Sequence, residues 1–334
     1  MVLWPFNRDI QYDLPLVARL RYGDCLTRPG EKMPQPNFAI IGAPKCGTTS
    51  LARWLESHPA VYLTDPKEPF FFADDFPGLR ALQGVSDATS YSRLFDRARP
   101  CHVAVGEASS LYLSSRGAVK KFVEFAADPI LIVLLRNPVD IAQSFHGQMA
   151  LQGFDLRTFS DAWAERRSPR LTGPTGRCPD SSLIEYHSIA SIGSQLSLVR
   201  DQIGLDRVRF VVFEDLKADP AGTFAQVTSW LGVPNREVDF MAHNGARRAR
   251  GPLPGLLRRP GFRRATRGVK RALPGRIVSK LRTTRDRMLY ADITRPVPDA
   301  QLASDLRSEF RDEVRLLEEV TGLPLGQRWG YSKC

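Results

Sequence analysis

No apolar run in the chain approaches the roughly 20 residues that a membrane-spanning helix needs, although 43% of its 334 residues are hydrophobic. Residues 1–21 mix Trp4, Pro5, Arg8, Asp9, Asp13 and Arg19 and lack the uninterrupted apolar core of a secretory signal. Both absences point to a soluble protein of the cytoplasm. Cysteine is scarce: Cys25, Cys46, Cys101, Cys178 and Cys334 are scattered, odd in number and without a Cys-x-x-Cys pair. That speaks against a zinc knuckle or a disulfide framework and predicts free thiols in a reducing compartment. Internal repeats are missing as well. Acidic residues are nearly absent from one segment: residues 247–287 hold fifteen Lys and Arg against the single acid Asp286. That segment therefore carries +14 of a net +11, and the rest of the chain sums to −3. The basic character is local, which argues for one anion-facing region.

What the chain does contain is an alternation of two periods. Short runs rich in β-branched residues, at 38–41, 103–105, 130–135 and 208–213, read as buried parallel strands. Amphipathic stretches at 50–57, 139–152, 184–203 and 223–231 read as helices between them. Strand, helix, strand predicts a doubly wound α/β sheet, whose ligands bind beyond the carboxyl ends of the strands. Prolines at 252, 254, 260 and 274 mark 247–287 as loop-rich, and 304–320 returns to a strong helix. The expected organisation is an N-terminal extension over 1–36 and a single domain over 37–334.

The strand at 38–41 runs into Gly42-Ala43-Pro44-Lys45-Cys46-Gly47, and Thr48-Thr49-Ser50 opens a helix. Glycines let backbone approach an anion, and the first amides of a helix point at it. Lys45 adds a mobile charge and the hydroxyls add donors. The loop is not a Walker A motif, because Gly47 is followed by Thr48 and the lysine lies two positions before the glycine. A nucleotide kinase or hydrolase therefore fits poorly. After the strand at 130–135 come Arg136, the capping Asn137, Pro138 and then a helix with Ser144. Arg136 is placed for bidentate phosphate binding. Alone this is an ordinary capped turn; with the first loop it becomes half of a nucleotide site.

Pro44-Lys45-x-Gly47-Thr48-Thr49-x-Leu51 resembles the phosphosulfate loop of sulfotransferases that use 3′-phosphoadenosine 5′-phosphosulfate (PAPS), above all the heparan sulfate and related bacterial branch. The resemblance implies a P-loop-like three-layer α/β fold, with a central parallel sheet flanked by helices. It implies PAPS as sulfuryl donor, PAP (the desulfated nucleotide) as product, and no metal. Lys45, Cys46, Gly47, Thr48, Thr49 and Ser50 would hold the 5′-phosphate, with Lys45 stabilising the departing charge. Arg136 and Ser144 match the family's 3′-phosphate segment. His243-Asn244-Gly245-Ala246-Arg247-Arg248 is similar to a loop that closes over the nucleotide, which adds Arg247 and Arg248.

The acceptor must lose a proton as it attacks sulfur. By the same resemblance the run Lys67-Glu68-Pro69-Phe70-Phe71-Phe72 supplies Glu68 as general base, and its phenylalanines could exclude water and raise a carboxyl pKa. Glu107 is a second carboxylate and His146 a reserve base. Where the family often has Gly-Glu-Lys-Thr-Pro, this chain has Gly106-Glu107-Ala108-Ser109-Ser110, so a lysine contact is missing. The acceptor is a small molecule, a glycan or a lipid, on a hydroxyl or amine. The basic segment 247–287 reads as a solvated surface, with an anionic membrane surface as its alternative partner and peripheral membrane location as the consequence. A specific nucleic acid is not indicated, and oligomeric state is not legible.

Overall fold

The computed structural model describes residues 35–165, 178–240 and 300–331, together with the backbone of 247–249 and 290–292. Strands β1 (Phe38–Gly42), β2 (Val61–Leu63), β3 (Ala104–Glu107), β4 (Ile130–Leu135) and β5 (Val208–Val212) form one sheet in the order β2-β3-β1-β4-β5. Every pairing in it is parallel. The central strands are apolar along their whole length because helices cover both faces; β1 is buried from end to end, and so is β4 beyond Ile130. The expected α/β architecture is therefore the observed one.

Helices fill the crossovers: α1 (Thr48–Glu56) after β1, α2 (Pro77–Gln83) and α3 (Ala88–Ser92) after β2, and α4 (Ala118–Phe125) after β3. Beyond β4 come α5 (Pro138–Gln152), α6 (Phe159–Glu165), α7 (Tyr186–Ala190) and α8 (Ile192–Ile203); beyond β5 come α9 (Phe213–Ala218) and α10 (Pro220–Trp230). A two-stranded antiparallel ribbon pairs β6 (Arg247–Ala249) with β7 (Tyr290–Asp292). Helices α11 (Ala300–Glu309), α12 (Arg311–Thr321) and α13 (Leu325–Arg328) close the described chain. From β1 the chain turns toward β2, and from β4 it turns the opposite way toward β5. The connections thus diverge at the carboxyl ends of β1 and β4, which opens the crevice where such sheets bind ligands.

Two expected helices are each divided. The stretch 184–203 breaks at Ser191, whose Oγ donates to the His187 carbonyl at 2.8 Å. The stretch 304–320 breaks at Phe310, which is fully buried and stacks on His187 with ring centroids 5.1 Å apart. A tertiary contact wins over continued periodicity at both points. The thiol reading also needs correction: Cys46 and Cys178 are free, but Cys101 is disulfide-bonded. Most of the 1–36 extension and of the 247–287 segment lies outside the described residues. No helix among the described residues is long and apolar enough to cross a membrane.

Asn137 caps α5 by accepting the Val139 amide at 3.0 Å, Pro138 occupies the first turn, and Gly153 ends the helix at φ 70°. The turn beyond is pinned by a buried ion pair. Asp155 takes two bonds from the Arg157 guanidinium, at 2.9 and 2.7 Å, and one from the Tyr186 hydroxyl at 2.7 Å. Burial pushes the Asp155 carboxyl up, but these bonds outweigh it and hold the group down to about 2. Its contribution to stability is present above the ordinary carboxylate range and is lost as pH falls toward 2. Asp155→Asn weakens two charge-assisted bonds and leaves Arg157 with Glu165, 2.8 Å from its Nη1, as its ion-pair partner, and is expected to destabilise the fold by about 3 kcal/mol. Thermal melts should show this as a fall of about 5–10 °C in Tm at pH 7.

Candidate active site

Three strand ends meet around the β1–α1 loop. Gly47 is the N-cap of α1 at φ 93°, a left-handed conformation that glycine adopts without strain. Its bare Cα also admits Leu216 of α9, since a Cβ there would lie 2.6 Å from the leucine Cδ2. The amides of Ser50 and Leu51 bond the Gly47 carbonyl at 2.9 and 3.1 Å. Those of Thr48 and Thr49 come earlier in the first turn, have no intrahelical acceptor, and form with the helix dipole an anion-facing end. Thr48 and Ser50 are buried and Thr49 is half-buried. The Cys46 side chain is buried, its Sγ 3.5 Å from the Pro44 carbonyl, and burial pushes its thiol up. It remains a thiol, and only its backbone can meet a ligand.

Lys45 adopts φ 67°, an unusual conformation for a residue with a Cβ and one that marks functional loops. Its Nζ reaches Gln148 of α5 at 2.9 Å, and its carbonyl accepts from Arg136 Nη1 at 3.0 Å. Arg136 also donates Nε and Nη2 to Asp140, at 3.3 and 3.2 Å, and lies over the Phe213 ring at 4.5 Å. These bonds use three of the five guanidinium N–H groups, and among the described residues two remain for an anion. Asp140, Ser144 and Gln148 are spaced by four, so they share one face of α5. Two of them hold Arg136 and Lys45, which puts the buried Ser144 between the two cations. Lys45 is thus brought, from 91 residues earlier in the chain, to the face of α5 that holds Arg136 and carries Ser144. Neither Gln148 nor Asp140 was expected; the four-residue spacing from Ser144 is the signal that finds them.

A second centre lies on the other flank of β1. Gly42 allows its approach, since a Cβ there would lie 2.6 Å from the Leu113 Cβ and 3.3 Å from the Ser110 carbonyl. Glu68 accepts at Oε1 from Lys67 at 3.0 Å and from Ser110 Oγ at 2.8 Å. Its side chain is 30% exposed and its Oε2 bears no hydrogen bond among the described residues. The phenylalanines of the run enclose a different carboxyl. Phe72 packs at centroid distances of 5.0 Å on Tyr91 and 6.1 Å on Tyr112, and both tyrosine hydroxyls donate to Glu107. Glu107 is fully buried, with both oxygens occupied.

His146 is buried on α5, bonds the Arg157 carbonyl through Nε2 at 3.0 Å, and packs on Phe159 and Tyr186. Burial lowers its pKa. It faces the Asp155 turn and is not joined to Glu68. Arg247 and Arg248 stand in β6, whose backbone runs beside α5; their side chains are outside the described residues. The chain's end braces the crevice: Arg328 pairs with Asp215 of α9, Trp329 Nε1 donates to Glu214 at 3.3 Å, and Tyr331 donates to Asn137 at 3.2 Å.

A family model described as "Sulfotransferase domain" matches residues 35–244. The mouse heparan sulfate glucosamine 3-O-sulfotransferase 3B1 is 27% identical over 198 residues, 59% of this chain and 46% of that enzyme. The membrane-associated sulfotransferase kil1 of Dictyostelium discoideum is 27% identical over 151 residues, 44% of this chain and 28% of that protein. The chain therefore spans less than half the length of either relative. Among solved structures, a sulfotransferase from Alicyclobacillus acidocaldarius superimposes with a TM-score of 0.55 at 29% identity, covering 69% of this chain and 89% of that one. With the crevice between β1 and β4 inside residues 35–244, the span that the family model matches, the chain belongs to the sulfotransferase family.

Proposed function

We propose that residues 37–334 form one domain that transfers the sulfuryl group of PAPS to a hydroxyl or amine of a small-molecule, glycan or lipid acceptor. The observation that carries this reading is the convergence of Lys45, Arg136, Ser144 and the open amides at the start of α1 on one crevice. That donor set suits a ligand with two separated phosphate groups: hard anion donors at the loop, and an arginine with two uncommitted N–H groups at the end of β4. The amides and hydroxyls of Cys46, Gly47, Thr48, Thr49 and Ser50 would bind the 5′-phosphate. Arg136 and Ser144 would bind the 3′-phosphate, and Arg247 and Arg248 would close over it from β6.

When bound, PAPS supplies an activated sulfuryl group, whose bond to phosphate oxygen breaks as the acceptor's bond to sulfur forms. Lys45 holds its ammonium charge where negative charge gathers on the departing phosphate, a preorganised stabilisation that needs no rearrangement at the moment of transfer. Glu68 receives the acceptor's proton at Oε2, while Ser110 and Lys67 keep its other oxygen fixed. Glu107 and His146 are less suited, one sealed with both oxygens occupied and the other turned to the Asp155 turn. The side chain at 108 is alanine and brings no cation to the acceptor. The basic segment 247–287 would draw an anionic acceptor or membrane surface. A cytoplasmic protein with peripheral membrane contact is one reading of location; the Cys101 disulfide favours an oxidising compartment instead.

The acceptor half is tested by incubating the protein with sulfur-labelled PAPS and a panel holding an N-sulfated heparan oligosaccharide, a glycolipid and 4-nitrophenol. Label should pass to one class in a Glu68-dependent manner. Label transfer undiminished in Glu68→Gln would sink the assignment of the base.

A further inference from the structure

Glu107 ends β3 with no exposed surface, and three hydroxyls converge on it. Tyr91 and Tyr112 donate to Oε1 at 2.5 and 2.9 Å, and Ser109 donates to Oε2 at 2.5 Å. Two of these hydroxyls have a second duty. Ser109 Oγ accepts the Phe70 amide at 3.2 Å, and Tyr112 Oη accepts the Phe72 amide at 3.3 Å. A hydroxyl carries one proton and two lone pairs. Because Glu107 takes the proton of each, the lone pairs are left to face the two amides. The backbone held in this way is strained: Phe70 sits at φ 52°, a conformation a bulky residue keeps only where its surroundings impose it. The same segment presents Glu68, and it is tied again where the Ala108 amide meets the Lys67 carbonyl at 3.3 Å.

We propose that Glu107 is a positioning residue for the transfer reaction: its carboxylate sets the direction of the Ser109 and Tyr112 hydroxyls, and through them the strained backbone that presents Glu68. The inference rests on Glu68 as the base. A carboxylate offers about four acceptor sites and three are taken here, so protonation of Glu107 fills the fourth, turns charge-assisted bonds into weaker neutral ones, and loosens the hold of the hydroxyls on the two amides. Burial pushes this carboxyl up to about 7, against the three hydroxyl bonds, and the nearby Glu68 charge adds to the rise. Among the described residues the other titratable groups facing it are Tyr91 from α3 and Tyr112 from its own loop. Burial raises both phenols well above their ordinary range, so they stay donors. Order in the 67–72 segment therefore increases as pH rises through about 7. Stability runs the other way: a carboxyl raised in the folded state favours folding fully below its ordinary pKa, and that contribution is lost as pH rises through about 7.

Amide hydrogen exchange tests this without an acceptor. In the wild type, protection of the Phe70 and Phe72 amides, corrected for intrinsic exchange, should grow several-fold between about pH 6 and pH 8. In Glu107→Gln both amides should exchange at least about ten-fold faster at pH 8, with no pH step, while affinity for PAP stays within about two-fold. In Ser109→Ala only the Phe70 amide should loosen. With the best acceptor from the panel above, turnover in Glu107→Gln should fall about ten-fold and lose its rise near pH 7. Wild-type protection and an unchanged pH step in Glu107→Gln would overturn the proposal. If that variant does not fold, an unchanged Phe70 amide in Ser109→Ala overturns it alone. Failure of the base assignment shows up separately, as full turnover in Glu68→Gln.

Discussion

Glu68→Gln is expected to bind PAP within about two-fold of the wild type and to lose about 10²–10⁴-fold in turnover. The substitution is nearly isosteric. It keeps an oxygen for Ser110 and Lys67, which hold Oε1 at 2.8 and 3.0 Å, so the segment need not move. What it removes is the basic oxygen left without a partner among the described residues. Glu68 lies on the β3 flank of the loop, apart from the Arg136 side, so nucleotide affinity should be spared. Single-turnover kinetics with saturating PAPS separates the two effects. A variant that binds PAP normally and turns over normally would show that the proton leaves by another route.

Lys45→Ala should damage both quantities. Turnover is expected to fall by about 10²–10³-fold, the usual cost of one preorganised donor to a developing charge. Affinity for PAP should fall by about ten-fold or more, as for loss of one charge-assisted bond. The mutated side chain is held by Gln148 across the crevice, so Gln148→Ala should give a weaker form of the same defect. Full activity in Lys45→Ala would remove the lysine from the chemistry.

The sheet was readable wherever burial alone decides the pattern. The run 130–135 is apolar throughout because both faces are covered, and β4 has those bounds. β2 carries no such pattern, because it is three residues long and half-exposed at Tyr62 and Leu63. The long helices at 184–203 and 304–320 were read too far, since periodicity passes through Ser191 and Phe310 while the stacking of Phe310 on His187 does not show in either segment alone. The site divides in the same way. The loop 42–50 and Arg136 carry local chemistry, so their donors can be seen in the residues themselves. Asp140 and Gln148 matter through partners 4 and 103 residues away. The phenylalanine run was assigned to Glu68, its neighbour in sequence, whereas in space it encloses Glu107 together with tyrosines from two other segments.

A crevice for a nucleotide with phosphates at both the 5′ and 3′ positions is measured most directly by titration calorimetry with PAP and with adenosine 5′-phosphate. The wild type should bind PAP one-to-one and prefer it to adenosine 5′-phosphate by at least about ten-fold, and Arg136→Ala should lose most of that preference. Wild-type protein that binds neither nucleotide, or binds both equally, would contradict the account.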